Sequence, residues 1–133
     1  MFRGGQAFLS LVLLVGATIG LIGMMLIFFA NSFVDTGYGY RALAQAEAVA
    51  GAGAQDALLQ LARNVNFSNT GGYAVAVGSS TATVTVTQNS PSAGLVTILS
   101  TAVVSSRIRK INVVAAVNAS TSQVTVNSWN LVQ

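Results

Sequence analysis

The sequence predicts an α+β fold: one long amino-terminal helix, membrane-spanning in its first half and amphipathic in its second, packed on a small antiparallel β-meander of four or five strands. Three observations predict it. The 133-residue chain carries no charge from Gly4 to Val34. Small and apolar residues then recur at steps of three and four as far as Leu61, and the remainder is rich in Val, Thr, Ser and Ala cut by short turn clusters. The chain divides accordingly into a stub (1–5), a hydrophobic helix (6–34), an amphipathic helix (35–64) and a β head (65–133).

The apolar run Ala7 to Ala30 exceeds the roughly 20 residues that a bilayer-crossing helix needs. A secretory signal fits it badly. Such a signal has an apolar region of roughly 7 to 15 residues before a small-x-small cleavage site, whereas this run is longer and closes on Phe28-Phe29-Ala30. In the second segment Leu43, Ala46, Ala50, Ala54, Ala57, Leu58 and Leu61 form one helical stripe, and Arg41, Gln45, Gln55, Gln60 and Arg63 occupy the opposite face. The stripe is mostly alanine, so a sheet or a neighbouring helix can approach it closely. An unbroken helix from Gln6 to Arg63 would be about 87 Å long. Poor helix formers cluster at Asn31-Ser32 and from Asp35 to Tyr40, which predicts a kink or break there.

After a turn cluster from Asn64 to Gly72, the alternation of Thr81-Ala82-Thr83-Val84-Thr85-Val86-Thr87 gives a strand with one apolar and one hydroxyl-bearing face. Tyr73 to Val77, Leu95 to Val104, Ile108 to Val117 and Val124 to Val132 read as further strands. The short connections make neighbours antiparallel, and the alanine stripe is the cover for their apolar face. Pro91 falls in a loop.

Catalytic chemistry has little to work with. There is no histidine and no cysteine, and Asp35, Glu47 and Asp56 are the only side-chain carboxylates. Glu47 and Asp56 lie about 13 Å apart along a helix axis, too far to share one substrate atom. The expectation is a protein that is not an enzyme and takes no metal or cofactor. Arg107, Arg109 and Lys110 form a basic cluster, with Arg107 and Arg109 on one strand face and Lys110 on the other. It reads as a solvated edge guarding against aggregation, with DNA or an anionic surface as the alternative. Phe33, Tyr38 and Tyr40 sit where an interfacial aromatic belt belongs. Asn66-Phe67-Ser68 and Asn118-Ala119-Ser120 match a glycosylation sequon.

A short basic stub ending in glycine, then a polar residue, then an apolar helix that continues amphipathically into a small antiparallel sheet, resembles the type IV pilins and pseudopilins. Local echoes are Arg3-Gly4-Gly5-Gln6-Ala7, Ala44-Gln45-Ala46-Glu47-Ala48 and Ser106-Arg107-Ile108-Arg109-Lys110-Ile111. The resemblance implies that the stub is a leader, cut after Gly5 by a membrane prepilin peptidase to leave Gln6 first. It also implies a subunit held in the inner membrane, then extracted by an ATP-driven assembly machine into a cell-surface filament of its own copies. Nucleic acid is not an expected partner. The chain departs from the family at Ser10, where members usually carry a glutamate that partners the charged amino terminus, and it lacks the proline that unwinds many pilin helices. Gly16, Gly20 and Gly23 occupy the comparable region. Cyclisation of Gln6 to a neutral lactam would remove the amino-terminal charge and with it the need for the glutamate.

Elementary physics points the same way. Apolar contacts gain little inside lipid, so membrane helices associate through small residues, and Gly16-x-x-x-Gly20 supplies such a site alongside Gly23. In water the segment would expose more than a dozen large side chains, each worth about 1.5 to 3 kcal/mol on burial. It belongs in lipid or in a bundle of its own kind. A head-to-tail contact repeated with a rise builds a helical filament. A monomeric single-pass membrane-anchored binding module explains the apolar run equally well, and a minor or tip subunit of a secretion or DNA-uptake system is a third reading.

Overall fold

The computed structural model describes residues 3–132; Met1 and Phe2 of the expected leader and Gln133 of the expected β head lie outside the described residues. Helix α1, Arg3–Arg63, is followed by strands β1 (Asn69–Val77), β2 (Ser80–Gln88), β3 (Leu95–Val104), β4 (Arg107–Asn118) and β5 (Gln123–Val132). The chain divides into two compact units, one ending at Tyr38 and the other comprising Gly39–Gln133.

Of the kink or break expected between Asn31 and Tyr40, a break is absent, because α1 is helical throughout, and the boundary between the two units falls inside that segment. Thr36 shows why propensity loses here. Its hydroxyl donates to the Ser32 carbonyl at 2.8 Å, satisfying within the helix a group that would otherwise compete with it. Opening the helix next to an apolar segment would also leave backbone groups unpaired, at a greater cost than that of a few weak helix formers.

In the second unit the five strands form one antiparallel sheet in the order β1-β2-β3-β4-β5. The β3–β4 connection is a two-residue turn in which Ser105 and Ser106 both have positive φ, 47° and 64°, the backbone twist that suits a tight hairpin. Where Asn64 to Gly72 was expected as one loop, β1 already begins at Asn69. Its register with β2 shifts between Asn69 and Tyr73, and Gly72 takes φ +85° inside that bulge, a conformation that glycine adopts without strain. A glycine pair that looks like a turn is a bulged strand.

One sheet face is buried by α1. Val84, Val86, Val96, Ile98, Ala102, Ile111 and Val113 meet Val49, Ala50, Ala54, Ala57 and Leu61 of the helix in one core, while Ala42, Ala46 and Val104 form a smaller cluster beside it. The expected stripe is therefore the buried face, with Leu43 and Leu58 at its half-buried margins. Gly53 is the point of closest approach. A β-carbon there would fall 2.5 Å from Ser100 Oγ, 2.8 Å from Ala82 Cβ and 2.9 Å from Val84 Cγ2.

Strand β5 is only partly covered. Its register with β4 shifts between Val114 and Ala115, so that Val126 opposes Ala115 and Trp129 opposes Val113. Direct cross-strand partners share a face, so the bulge turns both side chains toward the helix side despite their odd spacing. Val126, Trp129 and Leu131 nevertheless remain 43–44% exposed.

Candidate functional site

The residues singled out for processing and assembly, Gly5, Gln6, Ser10, Gly16, Gly20 and Gly23, all lie on the first unit's part of α1, and each is exposed. Gln6 and Ser10 are joined, the Ser10 hydroxyl donating to the Gln6 carbonyl at 3.0 Å. Thr18 bonds back in the same way to Val15 O at 2.8 Å. These hydroxyls are satisfied by their own helix, the condition a polar group must meet to enter hydrocarbon cheaply. Gly16, Gly20 and Gly23 fall within about 60° of one another around the helix, and Gly5 lies on the same side; Gln6 and Ser10 lie about a quarter turn away. Nothing stands within 4 Å of a β-carbon built on Gly5, Gly16, Gly20 or Gly23. Within one chain the glycine face is open.

The same segment shows its large side chains on every side. Phe8, Leu14, Ile19, Met25, Phe28 and Phe33 are each more than 60% exposed, and no part of the most apolar window is buried. By length and composition this helix can cross a membrane.

The second unit offers different chemistry. The Tyr73 hydroxyl donates to Asp56 Oδ2 at 2.9 Å, and Phe67 meets the Tyr73 ring edge-on at 5.8 Å. Burial first, and then the hydrogen bond and charge of Asp56, push the Tyr73 phenol well above the usual tyrosine range. The pair pins β1 to α1; such a contact between segments seventeen residues apart has no sequence signature. A groove of about 400 Å³ runs between Gln55, Leu58, Leu59 and Ala62 of α1 and Val124 and Val126 of β5. Among the described residues, no group of three or more His, Cys, Asp or Glu side chains could hold a metal ion.

The basic cluster does not lie on either edge strand. The edge strands are β1 and β5, and neither carries a charged residue. Arg107, Arg109 and Lys110 lie on β4, where Lys110 pairs with Val132, the last described residue of β5. No protein-family model, no curated protein and no solved structure matches the chain.

Proposed function

We propose that this chain is a structural subunit of a type IV pilus-like filament, not an enzyme, and that it polymerises through its hydrophobic amino-terminal helix. The observation that carries the reading is the uncovered apolar part of α1, which bears an open glycine face and continues without a break into the helix that buries the sheet. An anchor needs the first of these properties only. A polymer needs a face that neighbours can approach closely as well.

On this reading the subunit waits in the inner membrane, a prepilin peptidase cuts between Gly5 and Gln6, and the assembly machinery moves it into a surface filament of its own copies. The freed Gln6 amine attacks its own side-chain amide carbon, ammonia leaves, and a neutral lactam replaces an ammonium that apolar surroundings would penalise. Ser10 then has no charge to match. The same Ser10 favours one alternative, a minor or tip subunit of a secretion or DNA-uptake system, where no neighbour needs to be matched.

Electron microscopy of sheared surface material, with peptides assigned to this chain, tests the filament. Mass spectrometry of the amino-terminal peptide from that material tests the rest. A peptide beginning at Gln6 and lacking ammonia is expected; one that retains Met1, or begins at an intact Gln6, overturns the processing scheme. If the chain is found only as a monomer in membranes, it is an anchored binding module instead.

A further inference from the structure

The basic cluster occupies one end of the sheet, and that end is fixed by the chain. Arg107 reaches back to α1, its Nη2 only 3.5 Å from where a β-carbon of Gly39 would stand. Gly39 follows Val34, the last residue of the charge-free run, by five positions. Five residues span at most about 17 Å even when fully extended, and the polar headgroup layer outside the hydrocarbon core is about 5 to 8 Å thick. A chain inserted through its apolar run therefore holds Arg107 and its hairpin within that tether of the point where the apolar run ends, whatever the angle between the two units.

Its chemistry suits that surface. Four of the six basic residues, Arg41, Arg107, Arg109 and Lys110, gather here, against Asp35 in the preceding turn and Glu47 further along α1. Arg109 is half-buried, with its Nε buried and without a hydrogen-bond partner among the described residues. At the hairpin tip Val103 and Ile108 are cross-strand partners, 53% and 56% exposed, and Tyr40 is 71% exposed. Apolar side chains at the tip of a turn, with Lys110 on their own face of the sheet and Arg107 and Arg109 on the other, match an interface that is anionic outside and apolar within.

We propose that the β3–β4 hairpin docks on the bilayer that holds α1. Arg107, Arg109 and Lys110 bind the phosphate oxygens of anionic lipid headgroups, and Val103 and Ile108 enter the interface between them. The proposal rests on the membrane-held state described above. Guanidinium groups take phosphate oxygens in pairs while the lysine acts as a point charge, so the recognition is of headgroup phosphate and net charge.

The chain has no cysteine, so Val103→Cys in the full-length protein can carry one environment-sensitive dye. The labelled chain is reconstituted into vesicles of phosphatidylcholine alone, or of phosphatidylcholine mixed with phosphatidylglycerol. Blue-shifted emission is expected in the anionic vesicles only. It should be reversed by about 1 M salt, which shortens the screening length to about 3 Å. Each of Arg107→Gln, Arg109→Gln and Lys110→Gln should lower the ratio of docked to undocked hairpin roughly fivefold. A chain that fails to float with the vesicles overturns the membrane reading and this proposal with it. A chain that floats but emits alike in both lipids overturns the proposal alone. So does an equal shift when duplex DNA is added to neutral vesicles, because the cluster would then be a nucleic-acid surface.

Discussion

At Gly53 two residue-level effects oppose each other. Alanine is the better helix former by about 1 kcal/mol, but overpacking a well-filled contact typically costs about 1 to 3 kcal/mol. Three atoms of a hydrogen-bonded sheet lie under 3.0 Å from the new methyl position, so the steric term wins. Gly53→Ala should destabilise the full-length chain by about 1 to 2 kcal/mol in urea unfolding in detergent. Gly51 is the control, because its β-carbon would make an ordinary 3.9 Å contact with Ile111 Cδ1. Gly51→Ala should be neutral or stabilising by up to about 1 kcal/mol, and equal effects at the two positions would refute the close approach. Tyr73 gives a pH-dependent test. Its phenol is held neutral in the folded state, above its unfolded value, so its contribution is complete below about pH 10 and is lost as pH rises beyond that. Tyr73→Phe should cost about 1 kcal/mol at neutral pH, where the phenol bonds Asp56. The difference from the parent should narrow above pH 10, and a constant difference would argue against the Asp56 bond.

At the scale of elements, the test of assembly is Gly20→Leu. A β-carbon at Gly20 meets nothing within the chain, and leucine is a good helix former, so the substitution leaves the subunit itself intact. Any effect must arise between subunits. Filaments should be lost while membrane insertion is kept, and normal filaments would count against close helix packing at that face. The elements themselves were largely legible in the sequence, because alternation in β2 and the three-and-four spacing from Ala46 to Leu61 each follow from which face is buried. Two signals misled for physical reasons. The residues from Asn31 to Tyr40 are weak helix formers singly, yet Thr36 closes on Ser32 and the helix continues. Gly71 and Gly72 imitate a turn where a bulge is needed. The candidate glycines could be read from their spacing, whereas the meeting of Gly53 with Ser100 and of Tyr73 with Asp56 depends on which segments fold together.

The whole molecule separates two physical tasks, and that separation can be tested by cutting the chain. The residues from Gly39 onward contain both core clusters, the entire sheet and the helical stripe that covers it. None of those core residues comes from the apolar run. The fragment from Asp35 to Gln133 should therefore fold alone, although with the modest stability expected of about 100 residues. Circular dichroism should show both helix and sheet, with a single cooperative melt. The same fragment has lost the large apolar side chains of the membrane-length run, a driving force of tens of kcal/mol, since each is worth about 1.5 to 3 kcal/mol. What it retains is scattered, Leu59, Val103 and Ile108 each more than half exposed, together with the partly exposed strip Val126, Trp129 and Leu131 on β5. If polymerisation resides in the amino-terminal helix, the fragment stays monomeric in sedimentation at concentrations where the full chain forms filaments. If the fragment assembles into the same filaments, the helix is an anchor only, and the uncharged edge strand β5 with its apolar strip becomes the polymer contact.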